Sequence, residues 1–503
     1  MRIPGEVMTE LRTHSTIDDH WLFDHADQPS QPVHRLGPIT RYLCGATYIS
    51  SWFADRVIGE LMPDGHRAVV PAIGYDVEPV LRHAYRARRI WLTQHILITL
   101  LIAAGLAVVP VSTGILILVA LLLFVPSLVA HRSDGINWKL VLGAVAALVV
   151  LSCLIGPLVA FMHQTRGSGG LEQWEEPAPS IDQGVHPAVE HGLGAAVLIV
   201  IAFVIALACR NTMLRVLATE LAPGTERRPP QVTGTLNAHR LETVSAAQHG
   251  NIVLHSDYNP FLGAGIVSNA WSTAIELKPV PQEAGFLRPR QTAEDGARRS
   301  VAIDPVALNR HVKHRLAALR SPDLAERERM DGLTLRDQII AGGTRWRNFP
   351  LVDERLRLPY SIASRRAMEE IIRHPQSSAR HFLRASIGAE SKPITRSDGT
   401  QIMPAEHHGV VVTAFSHIAV EGGLLYVETI TTVLGPIRQE YLDMDQYVAG
   451  DGVIGDAFRD TARSFGPAIL LAPVRLTQTI AERFSASRQR AKAGTVEHQR
   501  RRV

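Results

Sequence analysis

The sequence predicts a membrane α-helical protein, with four transmembrane helices, joined to an α+β cytoplasmic C-terminal domain. Three observations predict it. No Asp, Glu, Lys or Arg occurs between Ile90 and His131. Further uncharged runs follow Lys139, as far as Thr165, and Glu190, as far as Cys209. Beyond about residue 225, β-branched and aromatic stretches alternate with turn residues and amphipathic segments, the mixture expected of an α+β domain. Composition averaged over the chain hides this division. With 46% hydrophobic and 20% charged residues the 503-residue chain resembles a soluble protein, so the distribution carries the signal. The same composition excludes a disordered chain and a collagen-like repeat, and three scattered cysteines exclude a disulfide scaffold.

As one helix, the run from Ile90 to His131 would extend about 60 Å, twice the ~30 Å hydrocarbon core. Pro110-Val-Ser-Thr-Gly114 divides it, so the spans are expected at about 92–109, 115–130, 140–162 and 192–209. The first pair can also form a re-entrant hairpin, with the rest of the topology unchanged. Arg82, Arg86, Arg88 and Arg89 precede the first span, Arg132 and Lys139 follow the second, and Arg210 and Arg215 follow the fourth. The loop 163–191 has one basic residue, Arg166, among Glu172, Glu175, Glu176, Asp182 and Glu190. The positive-inside rule then places this loop outside and both termini in the cytoplasm, at a plasma membrane. The first thirty residues hold no apolar stretch, so no cleavable signal peptide is expected. No Asp, Glu, Lys or Arg lies within the spans and His95 sits at an edge, which favours anchoring over transport.

Residues 1–90 read as a cytoplasmic helical region. Its polar arm extends to about 35, a helix covers 39–62, and Asp76 caps a second helix that runs into the first span. The basic cluster Arg82, Arg86, Arg88 and Arg89 sits at headgroup level, where anionic lipids attract it and where it also serves as a topology signal. In the domain at 225–503, GNIVLHS, AWSTAIEL, RHFLRASI, GVVVTAFSHIAV and LLYVETITTVL read as strands, the last two as a hairpin turning at Glu421-Gly422-Gly423. Asp304-Pro305 opens one helix and residues 361–374 form another. The segment 465–484 aligns Phe465, Ile469, Leu476, Ile480 and Phe484 on one helical face. It either lies on the inner leaflet or packs on the domain, ahead of a basic tail.

The most unusual loop is Tyr258-Asn-Pro-Phe-Leu-Gly-Ala-Gly265, where Tyr258, Gly263 and Gly265 are the candidate ligand-binding residues. Glycines there would let backbone N–H groups approach a phosphate. The competing reading is a turn stabilised by aromatic packing, because neither a dinucleotide fingerprint nor a P-loop is present. His311 with His314, and Glu406-His407-His408, are weak matches to metal sites, and Glu369-Glu370 point apart on a helix. No GxSxG motif occurs and Cys44 lacks a catalytic context, so no catalytic residue, metal or cofactor is assigned. The 47 Arg and 5 Lys give a net charge of only +4, and nucleic acid is not an expected partner. The expected partners are the lipid bilayer with its anionic headgroups and, for the C-terminal domain, another protein.

RYLCGATY (41–48), HRAVVPAIGYDVEPVLRH (66–83), YNPFLGAG with Trp271, and LLYVET followed by Pro436-Ile-Arg together resemble a family of uncharacterised multi-pass membrane proteins from high-GC Gram-positive (actinobacterial) bacteria. The resemblance implies a lineage and a topology, and no activity. The functional expectation is a non-catalytic scaffold or sensor presenting a cytoplasmic domain. The alternatives are a membrane-tethered enzyme or nucleotide-binding domain using the loop 258–265, and thirdly a channel or transporter.

Overall fold

The structure, a computed structural model, describes residues 23–24, 36–63, 68–130, 182–226, 229–232, 234–255, 259–278, 303–325, 327–343, 350–353, 358–390, 394–396, 401–403, 407–449 and 452–493. The span expected at 140–162, most of the acidic loop, Tyr258 and Glu406 lie outside these residues. In chain order the first elements are β1 (Phe23–Asp24), α1 (Pro38–Ile49), α2 (Ser51–Leu61), α3 (Val77–Val108), α4 (Pro110–Ala130), α5 (Asp182–Thr219) and α6 (Thr235–Ala247). Then come β2 (Ile252–His255), β3 (Ile266–Glu276), α7 (Pro305–Ala317), β4 (Thr334–Gly342), β5 (Ile362–Ala363), α8 (Arg365–Arg373), β6 (Ala379–Glu390), β7 (Ile394–Thr395) and β8 (Gln401–Met403). The last are β9 (His407–Glu421), β10 (Leu424–Leu434), α9 (Gln439–Leu442), α10 (Met444–Ala449) and α11 (Val453–Ala493).

The helix expected over 39–62 is two helices. Ser50 is extended (φ −120°, ψ 111°) and its side chain accepts a hydrogen bond from Phe53 N, capping α2. The helix after Asp76 does continue into the apolar run, giving the 32 residues of α3. Asp76 holds the N-cap position without capping through its side chain. Gln248 Oε1 instead accepts from Val77 N at 2.7 Å, so α6 closes the start of α3. The turn expected at 110–114 shrinks to Val109, because Pro110 suits the first turn of α4, where no N–H is needed. A Cβ on Gly105 would lie 2.5 Å from Thr113 Oγ1, so glycine lets α3 and α4 close together.

Among the described residues, two helices are long and apolar enough to cross a bilayer. They are Val77–Val108 and Glu190–Thr219, with mean hydropathy of 1.8 and 2.8 in their most apolar stretches, and Pro110–Phe124 adds a shorter apolar helix. Their shared core contains Ile98 and Ile102 of α3, Leu116, Ile117, Ala120 and Phe124 of α4, and Leu198 and Ala202 of α5. α11 completes it with Phe465, Ile469, Leu470 and Leu471. Neither expected place for this segment is what the structure shows. It enters the apolar bundle, where Gly466 brings its backbone against α4, since a Cβ there would sit 2.6 Å from Ala120 O. Phe203 of α5 meets Phe458 and Phe465 at ring-centre distances of 5.2 and 5.6 Å. On the outside of the bundle Leu100, Leu118, Leu122, Leu193, Val200 and Val204 are more than half exposed.

The C-terminal part holds a mixed six-stranded sheet in the order β2-β4-β6-β9-β10-β3. Only β2 and β4 run parallel, and β4 was not anticipated from the sequence. The β9–β10 hairpin turns through Gly422 (φ +58°) and Gly423 (φ +78°), the two positive values that a type I′ turn requires. One face of the sheet packs Ile339 and Ala341 with Ile252, Leu254 and Ala367, on the side of α7 and α8. The opposite face packs Ile340, Phe382, Phe415 and Ile430 with Phe261 and Ile73. Ile73 belongs to the segment between α2 and α3, and Ala72 N donates to Gln248 O, so this segment ties the sheet to the helices.

Candidate functional site, a face of the sheet with surplus donors

Packing explains the glycines of the loop singled out in the sequence. Gly263 (φ +76°) lies against Val70, and Gly265 (φ +93°) lies against β10, where a Cβ would be 2.2 Å from Val433 O. Phe261 is buried between Phe415 and Phe382, at ring-centre distances of 4.7 and 5.7 Å. Asn259 Oδ1 accepts from Phe261 N and holds the turn. Among its described residues the loop is therefore a corner between β2 and β3, with both glycines serving close approach of backbones. Tyr258 lies outside the described residues.

Three of the four basic residues ahead of the first apolar run face protein carboxylates. Arg82 meets Glu78 at 2.7 Å, Arg86 meets Glu220 at 2.6 Å, and Arg88 meets Asp55 at 3.1 Å and Glu482 at 3.3 Å. Arg89 is exposed and has no ion pair among the described residues. The neighbouring contacts are of the same kind. Arg41 meets Asp445 at 2.6 Å, Arg210 meets Asp460 at 2.8 Å, and Tyr48 OH lies 3.0 Å from His83 Nδ1. The motifs RYLCGATY and DVEPVLRH thus form a polar junction among α1, α3, α5, α10 and α11. Cys44 is fully buried there and burial pushes its thiol up, away from the reactive thiolate.

The sheet carries two polar groups that differ in kind. On the side of α7, Asp337 accepts from Lys313 Nζ and lies 3.1 Å from His381 Nε2. Burial would raise the Asp337 carboxyl, but the hydrogen bonds from His381 and Lys313 and the Lys313 charge hold it down at about 2. On the opposite face Arg336 stands directly across from Arg384 in the β4–β6 register. Arg384 is 5% exposed and Arg336 is exposed. Neither guanidinium has a carboxylate within ion-pair distance among the described residues. Arg384 Nη1 donates to Gln338 Oε1 at 3.1 Å, its one hydrogen bond there. Burial, and then the charge of Arg336, push Arg384 down to about 10.

The groups around Arg384 are also left with protons to give. Gln338 is 4% exposed, and its oxygen is taken by Arg384, so its Nε2 remains as a donor. Ser386, 5% exposed, accepts from Thr413 Oγ1 at 3.1 Å, which leaves the Ser386 proton for another acceptor. Two guanidinium groups, an amide and a hydroxyl therefore occupy one face of the sheet, and no carboxylate among the described residues pairs with either guanidinium. Sequence reasoning did not find these residues. Alternation along RHFLRASI does put Arg384 and Ser386 on the same face as Phe382, but it does not say which face is buried.

Of the metal-site matches in the sequence, only the pair on α7 can be placed, since Glu406 lies outside the described residues. His311 and His314 are both exposed on α7, and Glu369 and Glu370 pair with Arg365 and Arg373. Among the described residues no three His, Cys, Asp or Glu side chains are grouped to hold a metal ion. An AbeC-like domain family model matches residues 270–502, a stretch that begins within β3 and takes in Arg336, Gln338, Arg384, Ser386 and α11. No curated protein and no solved structure matches the chain.

Proposed function

We propose that this chain is a multi-pass membrane protein that acts as a non-catalytic scaffold or sensor, presenting its sheet domain on the cytoplasmic side. The observation that carries the reading is the outer surface of the apolar bundle. Leu100, Leu122, Leu193 and Val200 are 60–68% exposed on helices whose inner faces are already filled, an arrangement that water penalises and lipid tails do not. Arg88 and Arg210 lie in the halves of α3 and α5 nearer Val77 and Thr219, the ends from which the chain continues to the sheet. In this reading that end faces the cytoplasm, as the positive-inside rule requires. The insertion of α11 supports one working unit, because the last element of the matched domain shares a core with the apolar helices.

Two measurements on the full chain in its native membrane test this. Alkaline carbonate should leave the protein in the membrane pellet, and external protease should leave the sheet domain intact in sealed cells. Release by carbonate would overturn membrane insertion, and digestion of the sheet domain from outside would overturn the orientation.

A further inference from the structure

We propose that Arg384, Arg336, Gln338 and Ser386 form a binding site for a phosphate group. This goes beyond the scaffold or sensor reading, since the site would bind equally in a protein of another topology. An arginine is rarely buried without an anionic partner, because removing its charge from water is costly unless a counter-charge replaces the solvent. Like charges directly opposite on neighbouring strands also repel. Arg384 breaks both rules: it is 5% exposed, lacks a carboxylate among the described residues, and stands across from Arg336. An anion between the two guanidinium groups removes both penalties at once.

The donor set narrows the anion. Nη1 of Arg384 is engaged by Gln338, and its other N–H groups have no partner among the described residues. Gln338 Nε2 and the Ser386 hydroxyl add neutral donors beside it, and Arg336 reaches the patch from the solvent side. This set holds no negative charge and offers more donors than the two oxygens of one carboxylate can receive. A phosphate group, with three or four acceptor oxygens and a planar guanidinium to hold it bidentately, fits both the charge and the count. Its exposed side at Arg336 gives the ligand a way in. The same chemistry is offered by a soluble phosphorylated compound and by a phospholipid headgroup, so the experiment separates the two.

The test is thermal unfolding of the full-length protein. In detergent, inorganic phosphate is titrated against chloride at equal ionic strength. In parallel, nanodiscs of phosphatidylcholine alone are compared with nanodiscs that also contain phosphatidate. The expected result is a saturable rise in melting temperature with phosphate or with phosphatidate, and not with chloride. Inorganic phosphate acting alone identifies a soluble ligand, and phosphatidate acting alone identifies a headgroup. Arg384→Gln should weaken the half-saturating concentration by about tenfold or more, and Arg384→Lys should restore part of it. Without added phosphate, Arg384→Gln should melt no lower than the parent, because it removes an unmatched charge. Should that variant fail to fold, Arg336→Gln and Ser386→Ala must each weaken the phosphate response. No response in either arm, a response unchanged by these substitutions, or a lower melting temperature of Arg384→Gln without ligand would overturn the site.

Discussion

Arginines in two regions of this molecule are withdrawn partly or fully from solvent and treated in opposite ways. At the helix junction Arg41, Arg86, Arg88 and Arg210 each meet a carboxylate from a distant part of the chain. On the sheet, Arg384 has an amide and another arginine. A matched pair reports architecture, because each partner is the reason the other tolerates burial. An unmatched cation reports an occupant. The difference separates residues that hold the protein together from residues placed to bind something.

The largest effect is expected at a matched pair. Arg210→Ala leaves Asp460, 19% exposed in its side chain, without its cation, and should cost about 4 kcal/mol in unfolding experiments. Asp460→Ala should cost a similar amount, and the double variant clearly less than the sum of the two. Additive losses would break the distinction between the two regions.

Asp337, on the α7 side of the sheet, should come next. Its folded carboxyl is held near 2, below the ordinary 3.8, so its contribution is fully present above about pH 4 and fades as pH falls towards 2. Asp337→Asn should therefore destabilise by about 2 kcal/mol at neutral pH, a figure already discounted for partial exposure, and by progressively less in acid. A loss independent of pH would show that Asp337 acts through packing. Arg82→Ala, which removes one i,i+4 pair with Glu78, should cost only about 0.5 kcal/mol. Arg384→Met should change stability least, by about zero in phosphate-free buffer, despite being the most buried of these cations. A large loss there would place Arg384 with the structural arginines.

Much of the fold was legible because it depends on neighbours in sequence. The uncharged run after Ile90 became α3 and α4, and Asp304 caps α7 by accepting from Val306 N. Gly422-Gly423 turns the β9–β10 hairpin, and RHFLRASI and GVVVTAFSHIAV lie within β6 and β9. Less of the site was legible. Gly263 and Gly265 stood out as rare residues in a short loop, yet their partners, Val70 and Val433, are remote in sequence and make the loop a packed corner. The partners of Arg86 and Arg88 were not legible because Glu220, Asp55 and Glu482 are remote in sequence, whereas Arg82 pairs with Glu78 one turn earlier on its own helix.

The sequence by itself determined that the runs after Ile90 and Glu190 are apolar helices, that β2, β3, β6, β9 and β10 are strands and where the tight turn falls, because charge depletion, side-chain alternation and glycine torsions act over a few residues. Only the tertiary structure decided that α11 leaves the sheet for the apolar bundle, that β4 lies between β2 and β6, and that Arg384 is buried opposite Arg336. Those outcomes depend on which surfaces exclude water together and which charges find a counter-charge, and both are settled between residues far apart along the chain.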